Sequence, residues 1–71
     1  MEKRLKVYDS GGQFRIVARL MNSPKTHLDI RLFANDGLKP TSKGLKFDYP
    51  EGVEWLKEAI REFEKIMDVR K

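Results

Sequence analysis

Alternating apolar and polar residues predict three β-strands in the first half of the chain. Residues 3–8, 13–21 and 26–34 each alternate with a period of two, which is typical of a strand with one buried and one solvated face. Turn-forming residues separate these segments: Asp9–Gly12, Asn22–Lys25, and Asn35–Gly37 as a hairpin signal. The pattern therefore predicts an antiparallel arrangement of short strands joined by tight turns.

The second half predicts a short extended segment and then a long helix. Pro40 disfavours helix at Lys39, and Gly44 predicts a bulge or bend before a final strand at residues 45–47. Residues 51–70 follow a period of 3.6, with apolar positions at Val53, Leu56, Ala59, Ile60, Phe63, Ile66 and Met67. Strands first and a helix last indicate an α+β fold, with an antiparallel sheet of four to five strands and one C-terminal α-helix in a single domain, residues 1–71.

Alternation assigns the strand residues to two faces of the sheet. The apolar face is predicted to pack under the helix and comprises Leu5, Val7, Phe14, Ile16, Ala18, Leu20, Leu28, Ile30, Leu32, Leu45 and Phe47. The opposite, basic face is predicted to comprise Arg4, Lys6, Tyr8, Arg15, Val17, Arg19, Met21, His27, Asp29, Arg31 and Phe33. Polar residues are expected on the wet face of an antiparallel sheet, but here Asp29 is the only acid among them.

Charge and composition narrow the function classes. The formal net charge is +4, and it is uneven: ten cations and four anions precede Asp48, whereas five cations and seven anions follow from there. This asymmetry favours a polyanion-binding face backed by a near-neutral helix, and a mixed solvated surface without a partner is the alternative. Absence of Cys excludes disulfides and Cys-based zinc sites, and a single His gives no metal-ligand spacing, so we expect no metal and no cofactor.

Cations interleaved with aromatic residues are typical of surfaces that bind single-stranded nucleic acid. Lysine and arginine reach phosphates, while Tyr8 and Phe33 offer flat rings for unstacked bases. A protein-interaction module that binds an acidic partner through the same face is the alternative, and RNA remains open beside DNA. The serines and His27 form no catalytic motif, so we expect neither an enzyme nor a small-molecule substrate.

The apolar arc of the helix is wider than one small sheet can cover. Trp55, Ala59 and Ile66 lie at its margin, where loops or the N-terminal strand would cover them, or where a second copy would pack. A homodimer would also relieve the difficulty of building a core from 71 residues.

One segment resembles the positive cofactor four family of transcriptional coactivators and their prokaryotic and viral relatives. The resemblance lies in Asp29–Phe33, with its Asp-Ile-Arg and aromatic, and in Lys39–Gly44, with its Lys-Pro-x-x-Lys-Gly; a strand and a helix bearing Trp55 follow. The resemblance covers residues 13–70 and implies a curved sheet backed by the helix, a homodimer with helices at the interface, and binding of single-stranded DNA in transcription, replication or repair. Whirly proteins and the purine-rich-element binders share a similar unit of four strands and a helix.

The resemblance also implies roles for individual residues. It assigns nucleic-acid contacts to Arg19, Lys25, Arg31, Phe33, Lys39 and Lys43, to which the residue pattern adds Lys6, Tyr8 and Arg15. The predicted dimer interface comprises Trp55, Ala59, Phe63 and Ile66. Ala34 and Met21 stand where family members often carry aromatics, and Lys6 and Tyr8 of the extra N-terminal strand are expected to replace those contacts.

No apolar run approaches the roughly 20 residues of a membrane span. We therefore expect an intracellular protein without membrane partners, cytoplasmic or nucleoid-associated in a prokaryote and nuclear in a eukaryote.

Overall fold

Four antiparallel strands form one open sheet, and a single helix follows them. The computed structural model describes residues 2–9 and 11–70, with strands β1 (Glu2–Asp9), β2 (Arg15–Met21), β3 (His27–Ala34) and β4 (Lys39–Asp48), and helix α1 (Glu51–Arg70). The strands lie in the order β1-β2-β3-β4, so each pairs with its neighbour in sequence. The α+β class, the antiparallel pairing and the helix bounds are confirmed. Ser10, in the first predicted turn, lies outside the described residues.

The N-terminal strand joins the sheet, but a β-bulge changes which of its residues face which side. Arg4 lies opposite Arg19, whereas Lys6 lies opposite Ala18, so one extra residue is accommodated at Leu5. Directly opposed residues in an antiparallel pair project from the same face, and an extra residue reverses the alternation beyond it. The prediction was therefore wrong for three residues: Lys6 and Tyr8 lie with Ala18 and Ile16 on the apolar face, and Val7 lies with Val17 on the basic face.

The hairpin predicted after β3 is confirmed, and β4 carries a larger irregularity. Asn35 and Asp36 adopt positive φ values of 52° and 55°, and the Leu38 amide donates to the Ala34 carbonyl at 3.0 Å. Arg31 pairs with Gly44 and Phe33 pairs with Pro40. Two residues separate the partners on β3 but four separate those on β4, so β4 forms a bulge between Pro40 and Gly44. Gly44 thus ends a bulge, as its position predicted. The segments predicted on either side of Gly44 form one continuous strand.

The helix covers less of the sheet than the apolar pattern predicted. Its first turns meet the end of β4, where the rings of Phe47 and Trp55 stack with centroids 6.3 Å apart. Beyond Leu56 the described helix side chains are exposed, and so are Leu5, Ile16 and Leu45 on the apolar face. The prediction that this face packs under the helix of the same chain therefore holds only in part, because Leu5, Phe14, Ile16 and Leu45 are exposed while the remaining apolar residues of the face are half-buried.

The most buried residues lie on the basic face instead. Val17, Asp29 and Phe33 are 0%, 1% and 3% exposed, although no helix lies over them. Long side chains of the same face close over them, and this layer is the small core of the chain.

The helix described, α1, is not long and apolar enough to cross a membrane.

Candidate nucleic-acid interface

Asp29 holds two arginines on the basic face. Its Oδ2 accepts from Arg19 Nε at 3.0 Å and Nη2 at 2.7 Å, and its Oδ1 accepts from Arg31 Nη2 at 3.0 Å. Register explains the arrangement, since Asp29 lies directly opposite Arg19 and two residues before Arg31 on the same face of β3. One buried carboxylate therefore neutralises and orients two guanidinium groups.

The remaining donors of these two arginines are also used within the chain. Arg19 Nη1 donates to Glu2 Oε2 at 3.0 Å, and Arg31 Nη1 donates to the Thr41 carbonyl at 2.9 Å. Each guanidinium thus has all three nitrogens engaged. Arg19 is buried and Arg31 is partly buried. Both contribute to the folded structure, and they have little capacity left for direct phosphate contacts.

Mutual stabilisation shifts the pKa values of the buried pair. Burial alone would raise the pKa of Asp29, but hydrogen bonds from Arg31 and Arg19 and the charges of both outweigh it, so the pKa lies below its usual value. Burial likewise disfavours charged Arg19, but hydrogen bonds to Asp29 and Glu2 outweigh this and raise its pKa. Both groups stay ionised at neutral pH, and the pair acts as a fixed electrostatic unit.

Phe33 lies beneath two guanidinium groups. Arg4 Cζ lies 4.8 Å and Arg19 Cζ 5.1 Å from the centroid of its ring. Such cation–π contacts stabilise a desolvated cation over the ring face. The ring that the sequence offered for base stacking is therefore covered in this structure.

The other arginines of the basic face also bond internally. Arg4 Nη2 donates to the Gly37 carbonyl at 2.8 Å, and Arg15 Nη1 donates to the Gly12 and Phe14 carbonyls at 2.7 and 2.8 Å. Arg15 also lies 3.5 Å from Asp9 and 3.8 Å from Asp36. The arginines of this face thus tie strands and turns together.

The charge of this face is nearly balanced, contrary to the prediction. By register its cations are Arg4, Arg15, Arg19, Arg31 and Lys46, and its anions are Glu2, Asp9, Asp29 and Asp48, which leaves a net charge of +1. The prediction missed three acids, because Glu2 and Asp9 fall outside the segment read as a strand and Asp48 was read as the start of the helix.

Free positive charge lies on lysines at the β4 side of the sheet. Lys25, Lys39, Lys43 and Lys46 are exposed, and among the described residues none of them forms an ion pair or a side-chain hydrogen bond. The Lys43 amide donates to Thr41 Oγ1 at 3.2 Å, and that hydroxyl donates to the Leu32 carbonyl at 2.7 Å, which fixes the bulge bearing Lys43. Lys39 lies opposite Ala34, toward the apolar side of the strand.

Two further residues, Tyr49 and His27, lie at this end of the molecule beside Lys46. Lys46 shares the basic face with Asp29, and Tyr49 follows β4 with an exposed ring. His27 lines a cavity of about 400 Å³ together with Pro24, Lys25, Thr26, Lys46 and Asp48. The sequence carried a signal for Lys46, because it has the same parity as Gly44 in β4, and for His27, because alternation placed it on the basic face, but nothing marked Tyr49.

The close approach of β4 to Arg31 depends on Gly44. A Cβ at position 44 would lie 2.8 Å from Arg31 Cζ and 3.0 Å from the Ile30 carbonyl oxygen. We expect Gly44→Ala to displace the Arg31 guanidinium and to lower the free energy of unfolding by about 1–3 kcal/mol, measured by urea denaturation. Ser42→Ala, in the exposed bulge, is the control and should change it by less than about 0.5 kcal/mol. Equal stability of the Gly44 variant and the control would contradict this packing.

Three of the predicted dimer-interface residues, Ala59, Phe63 and Ile66, lie along the free part of the helix, whereas Trp55 lies in its first turns and stacks on Phe47. Trp55, Ala59, Phe63 and Ile66 are all exposed, with Trp55 and Phe63 at 62%. They form one continuous apolar stripe together with Ile60 and Met67. The geometry therefore leaves this stripe available to another molecule.

Within residues 2–9 and 11–70, no group of three His, Asp or Glu side chains is placed to hold a metal ion. Comparison of the chain with protein-family models, with curated proteins and with solved structures gave no match.

Proposed function

We propose that the protein binds single-stranded nucleic acid through the lysines at the β4 side of its sheet. The observation that carries this proposal is a difference between two kinds of cation. The arginines of the basic face are hydrogen-bonded within the chain, whereas Lys25, Lys43 and Lys46 are exposed and form no ion pair among the described residues. Unpaired lysines on a fixed strand and turn are suited to neutralise successive phosphates. The resemblance to the positive cofactor four family supports single-stranded DNA, with roles in transcription, replication or repair.

A flexible single strand fits this surface better than a duplex. The lysines follow an edge strand and an adjoining turn, and α1 offers no basic face for a groove, because Lys57 and Lys65 lie near Glu54 and Glu62. Stacking in this proposal belongs to exposed rings such as Tyr49, since Phe33 is covered. Stacking contributes about 1–3 kcal/mol per base with little sequence preference.

We further propose that two copies associate through the exposed apolar surfaces, as the resemblance implies. The chain exposes 5,879 Å², whereas a folded monomer of 8.3 kDa typically exposes about 4,600 Å². The excess of about 1,300 Å² per chain corresponds to about 2,600 Å² for a pair, which is the size of a stable homodimer interface. The helix stripe and the uncovered apolar face are the surfaces that such a dimer would bury.

Removing three lysine charges tests the binding surface. We expect Lys25→Gln, Lys43→Gln and Lys46→Gln together to weaken binding of a labelled 20-nucleotide single strand about 10- to 100-fold at low salt, and to reduce the log–log salt slope by about 2. Fluorescence anisotropy at several salt concentrations measures both quantities. Duplex DNA and RNA of the same sequence, added as competitors, identify the preferred polymer.

The matched control removes the same number of charges from the helix. Lys57→Gln, Arg61→Gln and Lys65→Gln also lower the formal net charge from +4 to +1. This variant should retain the binding and salt slope of the unmodified protein. If both variants bound the strand equally weakly, net charge alone would determine the affinity and the lysine surface would have no special role. Absence of binding by the unmodified protein at low salt would refute the proposal. In the latter case, an acidic protein becomes the partner to test.

A further inference from the structure

The cavity beside the β2–β3 turn contains a histidine whose ring is fixed by the backbone. His27 Nδ1 lies 2.8 Å from the Lys25 carbonyl oxygen. Because a carbonyl oxygen can only accept a hydrogen bond, Nδ1 carries the proton and donates it. The other ring nitrogen, Nε2, is therefore the position at which this side chain can gain a proton or meet a ligand.

The Nε2 atom reaches the cavity although His27 is largely buried. Among the described residues, no buried side-chain nitrogen or oxygen lacks a hydrogen-bond partner, and none of these residues bonds to Nε2. It must therefore be accessible to solvent. His27 pairs with Asp48 and Met21, so its side chain projects from the basic face, the side on which Lys46 and Asp48 line the cavity.

The charged groups around the ring lie in the cavity lining and on the same face of the sheet, where the neighbouring acids Asp29 and Glu2 are both bonded to Arg19. Lys25 and Lys46 belong to the cavity lining and form no ion pair among the described residues, and Asp48 is the only acid in that lining. Asp48 Oδ1 lies against Gly52, close enough that any side chain at position 52 would collide with it, so this carboxylate is turned toward the first turn of α1. At that position the negative carboxylate interacts favourably with the positive end of the helix dipole. Met21 on β2 is uncharged, and Tyr49 lines a second, apolar cavity, to whose lining Thr26 and His27 also contribute.

We propose that this cavity binds a phosphomonoester group, such as the terminal phosphate of a nucleic-acid strand, between Lys25, Lys46 and the protonated Nε2 of His27. Two ammonium groups and an imidazolium match a group that carries up to two negative charges better than an internal phosphodiester with one. Because Nδ1 donates to the Lys25 carbonyl, Nε2 donates to a phosphate oxygen only when it also carries a proton, so the proposal requires a protonated ring in the complex. The terminal-phosphate assignment rests on the proposed function, whereas affinity for free phosphate does not.

The single histidine of the chain allows a direct test. The ring Cε1–H signal of His27 is followed by NMR during titration with inorganic phosphate at pH 7, and with sodium chloride at matched ionic strength. We expect a saturating shift with phosphate only, and its loss in Lys46→Gln, a variant of an exposed side chain that keeps the fold. Identical responses to phosphate and chloride would overturn the proposal.

A second arm identifies the source of the phosphate. Single strands of one sequence with 5′-phosphate, 3′-phosphate or hydroxyl ends are compared by anisotropy at pH 6.5 and 8.5. We expect at least a fivefold preference for one phosphorylated end at pH 6.5, a smaller preference at pH 8.5, and none in His27→Gln or Lys46→Gln. Equal affinity for all three strands would restrict the site to free phosphate and overturn the terminal-phosphate assignment.

The two proposals fail in different ways. A phosphate-dependent shift of the His27 signal without binding of any strand would refute nucleic-acid binding and support the anion site. Tight strand binding without any phosphate-dependent shift would support nucleic-acid binding and refute this site.

Discussion

Replacing Asp29 by alanine is expected to remove about half of the free energy of unfolding of the protein. The substitution leaves Arg19 and Arg31 without their shared carboxylate, and Arg19 is buried over the ring of Phe33. Loss of one partner from a buried ion pair costs about 3–5 kcal/mol, because the remaining charge is desolvated and unpaired. A folded chain of 71 residues is stabilised by only about 4–10 kcal/mol in total. Far-ultraviolet circular dichroism with urea titration measures the loss.

Two variants define the origin of that effect. Asp29→Asn keeps the shape but removes the charge, and it should destabilise the protein almost as strongly. Glu62→Ala removes an exposed acid 3.4 Å from Lys65 and should change stability by less than about 1 kcal/mol. If the alanine variant of Asp29 were as stable as the protein lacking Glu62, the carboxylate would not hold the basic face together.

Acid should destabilise the protein through the same carboxylate. The pKa of Asp29 is lower in the folded state than its ordinary value, so its contribution to stability is fully present above that value and is lost as the pH falls through the folded pKa. We therefore expect the melting temperature to be steady between pH 5 and 8 and to fall below about pH 4. Thermal denaturation across this range measures the effect. Asp29→Asn should show a shallower acid loss, and an equally steep loss would assign it to other carboxylates.

The secondary structure was predictable because it depends on local pattern. The alternation in residues 26–34 and the positive-φ turn at Asn35–Gly37 determine β3 and its hairpin. The heptad-like apolar positions after Pro50 likewise determine the helix. These signals lie within a few residues of the elements they specify, so a single chain carries them in full.

The assignment of faces failed at β1 because a bulge is a property of two strands. Lys3 to Tyr8 alternate regularly, and only pairing with β2 reveals that Leu5 is an extra residue. Past that residue every side chain changes face, which removed Lys6 and Tyr8 from the basic face. The face of Lys46 was predictable, since it alternates with Leu45 and Phe47, but its direct pairing with Asp29 appears only in the register of β3 and β4.

The burial of the charged residues on the basic face was not predictable, because their sequence pattern is the same as that of a solvated surface. Arginines and an aspartate alternating along β2 and β3 read as a wet face, and the direct pairing of Arg19 with Asp29 appears only in the register. The informative detail was a lone acid with arginines on the same face. Five side chains of this face, including Arg19 and Asp29, are buried by one another. Exposed cationic surface is therefore smaller than the sequence indicated, and it is displaced toward β4.

Replacing Phe63 by glutamate is expected to convert the proposed dimer into monomers. Burial of a phenylalanine side chain contributes about 1.5–3 kcal/mol, and each dimer contains two copies, so the dissociation constant should rise about 100- to 10,000-fold. Sedimentation velocity should give about twice 8.3 kDa for the unmodified protein and 8.3 kDa for the variant. The melting temperature of the unmodified protein should rise with concentration, and that of the variant should be lower and constant.

Arg61→Glu is the matched control, because it adds the same carboxylate on the polar side of the same helix, about 200° around the axis from Phe63. Arg61→Glu changes the net charge of the chain by more than Phe63→Glu does. If the dimer persists in the Arg61 variant and is lost in the Phe63 variant, apolar contact rather than charge holds the two copies together. A monomeric unmodified protein with a concentration-independent melting temperature would contradict the dimer. In that case, about 1,300 Å² of excess surface would stay exposed on each chain, and the apolar stripe would have to serve a different partner.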